Sequence, residues 1–126
     1  MKGKNILIID DESGIRSSLK GIFEDEGYNV YTALSGEDAI LLLRKENIDA
    51  CVVDMRLPGI DGNEVIRVAN KEKLLNKFVI QTGSTGYQVP EDIVAMGIGS
   101  EQVFLKPLAD LSVLVQVVQA LIEGTR

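Results

Sequence analysis

The sequence predicts a doubly wound α/β domain built on a parallel sheet, and three observations predict it. Short apolar runs of strand length alternate with amphipathic helical segments five times along the chain. Several of those runs are apolar at every position, as strands buried on both faces are. The intervening segments are long enough to be the crossovers that parallel neighbours need, and such crossovers become the helices covering the sheet. The 126 residues leave room for one domain, 1–126, and little besides.

Each element has its own signal. Ile6-Leu7-Ile8-Ile9 follows Asn5 and stops at Asp10-Asp11-Glu12, which reads as a buried strand. Ile15, Leu19, Ile22 and Phe23 then share one helical face, with Ser13 as the predicted N-cap and Gly27 as terminator. Residues 29–33 form the second strand, 35–45 a helix that Ser35 and Asp38 open in capping-box spacing, and 50–54 the third strand. A helix is expected over 64–70, running on through Leu74-Leu75, then a strand over 78–81 and a helix over 90–96. The loop 83–90 carries two glycines and Pro90, so it reads as a connection rather than an early helix start. A strand over 103–105 and a helix over 108–122 complete the chain. In that last helix Leu111, Leu114, Val115, Val118, Leu121 and Ile122 form the stripe that faces the sheet, while Val113, Val117 and Ala120 cluster on the other side as a candidate partner or dimer face.

Composition removes whole classes of function. A hydrophobic fraction of 45% with 25% charged residues suits a folded core. Lys and Arg total 13 against 19 Asp and Glu, and a net charge of −6 opposes nucleic acid binding. With no histidine and one cysteine, disulfide frameworks, the usual zinc sites and every His-activated nucleophile are excluded. Cys51 sits in the apolar run 50–53 and reads as a small buried hydrophobe. Apolar runs such as Ala39-Ile40-Leu41-Leu42-Leu43 are too short to span a membrane and no leader opens the chain, so the cytoplasm is the expected location.

Open α/β sheets bind ligands outside the carboxyl ends of their strands. Here those ends are Asp10-Asp11, Asp54, Thr82-Gly83 and Lys106-Pro107, which puts three carboxylates, a hydroxyl and an ammonium on one edge. Clustered carboxylates repel unless a cation shares them, and an oxygen-only donor set suits Mg²⁺, with Mn²⁺ as substitute. A carboxylate can also attack phosphorus to form an aspartyl phosphate. On that reading Asp54 is the nucleophile, Mg²⁺ is held by Asp10, Asp11, Asp54 and the Arg56 backbone carbonyl, Lys106 pairs with the phosphoryl group and Thr82 hydrogen-bonds it. Taken singly, the acids could favour a helix N-terminus, Asp54 could cap a turn, and the other two pairs could be plain chain breaks; all four at one edge is what gives the reading its force.

These residues resemble the receiver domain of two-component response regulators. The matching stretches are Ile8-Ile9-Asp10-Asp11-Glu12, Val53-Asp54-Met55-Arg56-Leu57-Pro58-Gly59-Ile60-Asp61-Gly62, Thr82-Gly83 and Phe104-Leu105-Lys106-Pro107, and their order and spacing together are specific. The resemblance implies a flavodoxin-like sheet of order 2-1-3-4-5, a phosphoryl group delivered from phosphohistidine on a histidine kinase or phosphotransfer protein, and Asp54 as acceptor with Mg²⁺. It implies a signalling protein that promotes only its own phosphorylation and dephosphorylation, not an enzyme. It also implies a cis Lys106-Pro107 bond and an output surface on the fourth helix, fifth strand and fifth helix, where Val113 and Val117 would meet a downstream protein or a second copy. Arg56 and Ser84 match positions that tune phosphoryl lifetime. The family's inward-turning aromatic is replaced by Val103, with Phe104 one residue later on the opposite face and Tyr87 as the aromatic available to stand in.

Two other readings compete. Aspartate-nucleophile phosphohydrolases carry a second aspartate two residues after the first, whereas position 56 is arginine. An interaction module with a vestigial site would fit Val103 but not the intact Asp10, Asp11, Asp54, Thr82 and Lys106.

Overall fold

A computed structural model describes residues 3–108 and 110–124. The strands are β1 (Asn5–Ile9), β2 (Asn29–Ala33), β3 (Ala50–Asp54), β4 (Phe78–Thr82) and β5 (Val103–Leu105), and the helices are α1 (Ser13–Asp25), α2 (Gly36–Lys45), α3 (Gly62–Lys71), α4 (Glu91–Ala95) and α5 (Leu111–Glu123). The strands form one parallel sheet in the order β2-β1-β3-β4-β5, as expected. The order reverses between β1 and β3, which is where a ligand crevice opens in such sheets.

Strand alternation sorts the core into two layers. Leu7, Ile9, Cys51, Val53, Phe78 and Ile80 meet Ala39, Leu43, Val65, Ile66 and Ile93 of α2, α3 and α4. Ile6, Ile8, Val52 and Val79 meet Leu19 and Phe23 of α1 and Leu114, Val115 and Val118 of α5. Burying each such aliphatic side chain contributes about 1.5 to 3 kcal/mol. Cys51 is fully buried and desolvation pushes its thiol well above the ordinary value, which suits a packing role.

Helix ends account for the main departures from the predicted boundaries. Ser13 is the first residue of α1, and the N-cap is Glu12, whose side chain makes no capping bond. The other end is as expected: Gly27 adopts φ +94°, and Gly27 and Tyr28 return their N–H groups to Glu24 and Phe23. Ser35 caps α2 by accepting from the Asp38 N–H at 3.1 Å. Helix α3 starts earlier than predicted, at Gly62, capped by Asp61. It does not continue through Leu74-Leu75: Lys73 takes φ +58° and the Leu74 N–H closes back on the Ala69 carbonyl, so the chain turns off the helix axis. A 3-10 turn at Ser100–Gln102, which the sequence did not suggest, precedes β5. Helix α5 starts at Leu111 behind an Asp110 cap, not at 108; position 109 in the predicted helix lies outside the described residues.

The predicted inner stripe of α5 is inside, but the outer one is corrected. Val113 is 45% exposed, whereas Val117 is half-buried and packs against the α1–α5 layer. Among the described residues no helix is long and apolar enough to cross a membrane.

Candidate functional site

Asp10 follows β1, and its N–H still donates to Ala33 of β2 at 3.2 Å, so the sheet ladder holds it. Its carboxylate is 0% exposed. Oδ1 accepts the Glu12 N–H at 2.9 Å, and Oδ2 accepts from Lys106 Nζ and from Gln81 Nε2, both at 2.8 Å. Asp54 ends β3 and is 4% exposed. Its Oδ1 accepts the Arg56 N–H at 3.2 Å and its Oδ2 accepts from Lys106 Nζ at 3.2 Å. Lys106 also reaches Glu12 Oε1 at 3.2 Å.

Backbone geometry delivers the lysine. The Lys106 N–H donates to the Thr82 carbonyl at 2.9 Å, extending the β4–β5 ladder by one residue, and the Lys106-Pro107 bond is cis. Thr82 is buried at the end of β4, with its Oγ1 accepting the Ser84 N–H at 3.1 Å. Gly62 of α3 packs closely against the end of β3, where a Cβ would lie 2.5 Å from the Asp54 carbonyl oxygen.

Opposed charges set the electrostatics. Burial pushes the Asp54 carboxyl above its ordinary value, and the Asp10 charge adds to that push, while the Arg56 N–H and Lys106 hold it back. Burial works to lower Lys106, but its hydrogen bond to Asp10 and the charges of Asp10 and Asp54 outweigh it, so the ammonium sits above its ordinary value and stays charged at neutral pH.

The structure thus brings the predicted residues together. Asp11, Asp54, Arg56, Thr82 and Lys106 line a cavity of about 610 Å³, which Tyr87 also borders. One carboxylate oxygen each from Asp10, Asp11, Glu12 and Asp54 can lie within 4.8 Å of the others. The donor set is oxygen only and carries four negative charges against one lysine, which fits a hard divalent cation. Arg56 places its N–H on Asp54 and its exposed side chain at the cavity.

Sequence reasoning missed three participants. Glu12 joins the carboxylate group, and its position in the acidic run was the available signal. Gln81 bonds Asp10, and the signal was one amide in an otherwise apolar strand. Asn63 accepts a 2.8 Å bond from the Tyr87 phenol and had no signal of its own. As predicted, Val103 and Phe104 face opposite layers. Tyr87 packs on the Val103 side and borders a second cavity with Val103, Val94 and Leu105.

Comparison with known proteins agrees with this geometry. The family described as response regulator receiver domain matches residues 6–119. Response regulator SaeR of Staphylococcus aureus is 32% identical over 113 residues, covering 90% of this chain and 48% of that protein. The chain therefore spans about half the length of the curated relatives it matches. Among solved structures, the response regulator TrrA of Thermotoga maritima, in complex with Mg²⁺-BeF, is 30% identical with a TM-score of 0.78, covering 94% of this chain and 98% of that one. A CheY-like receiver domain protein from Methanospirillum hungatei is 26% identical with a TM-score of 0.76, covering 97% and 96%.

Proposed function

The chain belongs to the response regulator receiver-domain family of two-component systems, and on that premise we propose that Asp54 is its phosphoacceptor. A carboxylate oxygen of Asp54 attacks the phosphorus of a phosphohistidine, the new O–P bond replaces the P–N bond, and the donor imidazole leaves with the electron pair and takes up a proton. The observation that carries this reading is the Lys106 ammonium within 3.2 Å of Asp54 and 2.8 Å of Asp10 at the rim of the cavity that Thr82 also lines.

Each residue then has a task. Lys106 is placed to meet the negative oxygens of the transferred group, and the Thr82 hydroxyl to donate to one of them. Asp10, Asp11, Asp54 and the Arg56 carbonyl, with Glu12 close by, would hold Mg²⁺ or Mn²⁺. When bound, the ion supplies positive charge to the phosphoryl oxygens as charge builds on them. Arg56 and Ser84 border the cavity and would set how readily water reaches the phosphoryl group. Beyond its own phosphorylation and dephosphorylation the chain would turn over nothing.

A histidine kinase or histidine phosphotransfer protein is the proposed donor. Output would pass to a downstream protein, or to a second copy, through α4, β5 and α5. That face is supported by Val94, Leu105 and Val113, three of the large apolar side chains left exposed, one on each of the three elements. Val113 remains the better contact candidate, since Val117 is half-buried and offers less of its side chain. The acidic net charge argues against direct nucleic acid binding and a cytoplasmic setting is proposed.

Incubation with acetyl phosphate, followed by intact mass, tests the reading. The expected result is one phosphoryl addition that requires Mg²⁺ and is lost in Asp54→Asn. Equal labelling of that variant would refute it, and continuous release of phosphate from a phosphomonoester would favour the hydrolase reading.

A further inference from the structure

Gln81 is the one amide in a strand that otherwise carries Phe78, Val79, Ile80 and Thr82. It is 0% exposed. Burying an amide is costly unless it is bonded, and here only half of it is: Nε2 donates to Asp10 Oδ2 at 2.8 Å, while Oε1 has no partner among the described residues. Turning the amide over would set Oε1 against a carboxylate oxygen, acceptor against acceptor, so the direction is determined by Asp10. The backbone fixes the register of the pair. Gln81 lies opposite Asp54 in the β3–β4 ladder, and its carbonyl accepts the Met55 N–H at 3.2 Å.

We infer that Gln81 is a positioning residue that keeps the Asp10 carboxylate in place when Lys106 is drawn to the phosphoryl group. The inference rests on the phosphoacceptor reading. Asp10 Oδ2 takes two donors, Gln81 and Lys106. Lys106 has three protons and already divides them among Asp10, Glu12 and Asp54. A phosphoryl group on Asp54 adds about −1.5 to −2 charges and strong acceptors within reach of the same ammonium. Asp10 is closed to bulk solvent, so bulk water does not simply replace a departing Lys106. Beside the Mg²⁺ it would hold, the donors left to Asp10 are the Glu12 N–H on Oδ1 and Gln81 on Oδ2. An apolar residue at 81 would leave Oδ2 with no protein donor at that moment, and only the ion to fix its direction.

The test compares Gln81→Met, and Gln81→Leu as a second variant, with the wild type. Affinity for beryllofluoride at saturating Mg²⁺, read by calorimetry, should fall about tenfold, as should the rate of labelling by acetyl phosphate, because one hydrogen bond to a buried charge is lost. Affinity for Mg²⁺ alone should change less than about threefold, since Lys106 still holds Asp10 in that state. Thermal midpoints should stay close to wild type, because the substitution also removes the unpartnered Oε1. In the wild type, the Gln81 side-chain NH₂ resonances should stay protected from exchange when Mg²⁺ and beryllofluoride are added, a readout that needs no variant to fold. Wild-type beryllofluoride affinity in the Met variant, or loss of that protection, overturns the inference. A wild-type chain that takes neither beryllofluoride nor a phosphoryl group overturns the phosphoacceptor reading itself.

Discussion

Lys106→Met keeps the length of the side chain and removes its charge, which isolates what that charge does for stability. Lys106 is 13% exposed and lies 2.8 Å from Asp10 and 3.2 Å from Asp54, both buried. At an effective dielectric near 20 these separations correspond to attractions of about 6 and 5 kcal/mol before any desolvation is counted. Glu12 is 61% exposed, so water screens its contact and it adds little. Desolvating the ammonium and the two carboxylates offsets most of the attraction, and breaking such a buried group from one side costs about 3 kcal/mol, the lower end of the usual range. For a chain of 126 residues that loss corresponds to a drop of roughly 10 °C in the melting midpoint. Urea and thermal unfolding in buffer free of divalent ions would measure it. Added Mg²⁺ should then recover more stability in the variant than in the wild type, because the ion becomes the sole counter-charge to Asp10 and Asp54. A variant that melts at or above the wild-type midpoint without divalent ions would refute the reasoning, since it would mean the lysine does not neutralise the cluster.

Further outcomes follow from the same geometry. Asp54→Asn should be more stable than wild type at about pH 7 without divalent ions: a carboxyl whose folded value is raised favours the fold only while protonated, that contribution is lost as pH rises through the folded value, and the advantage of the variant should close toward about pH 4 in urea titrations. Gly62→Ala should cost about 2 kcal/mol in urea unfolding and slow labelling by acetyl phosphate, because the new methyl would press on the Asp54 carbonyl and on Met55 Cε, each 2.5 Å away. Ser35→Ala should cost about 1 kcal/mol through loss of the cap on Asp38 N–H, with no change in labelling.

The three central strands were legible because they are buried on both faces and so write continuous apolar runs, as in residues 6–9 and 50–53. The carboxylate cluster was legible for a related reason: its members stand where those runs stop, and a parallel sheet collects all the stops on one edge. Helix ends were harder. Leu74 and Leu75 are apolar and at helical spacing, yet the chain leaves the helix at Lys73 in a left-handed conformation that no glycine announces. The start of α5 depends on the Asp110 cap, which its 2.9 Å bond to the Ser112 N–H reveals and composition does not. Val117 looked outward on a single helical wheel, but it is partly buried against the cluster that α1 and α5 form with the sheet. Gln81 could not be assigned before the structure, since its role exists only once β4 is set beside β3 and within reach of Asp10, 71 residues away.

The most direct test is to locate the phosphoryl group on the chain. Labelling with acetyl phosphate and Mg²⁺, reduction with borohydride and mass mapping of the peptides converts an aspartyl phosphate into a stable homoserine. The account predicts that this mark falls at position 54 and nowhere else. A mark at Asp10, Asp11 or Glu12, or an unmarked chain that nevertheless binds Mg²⁺ at the cluster, would contradict it.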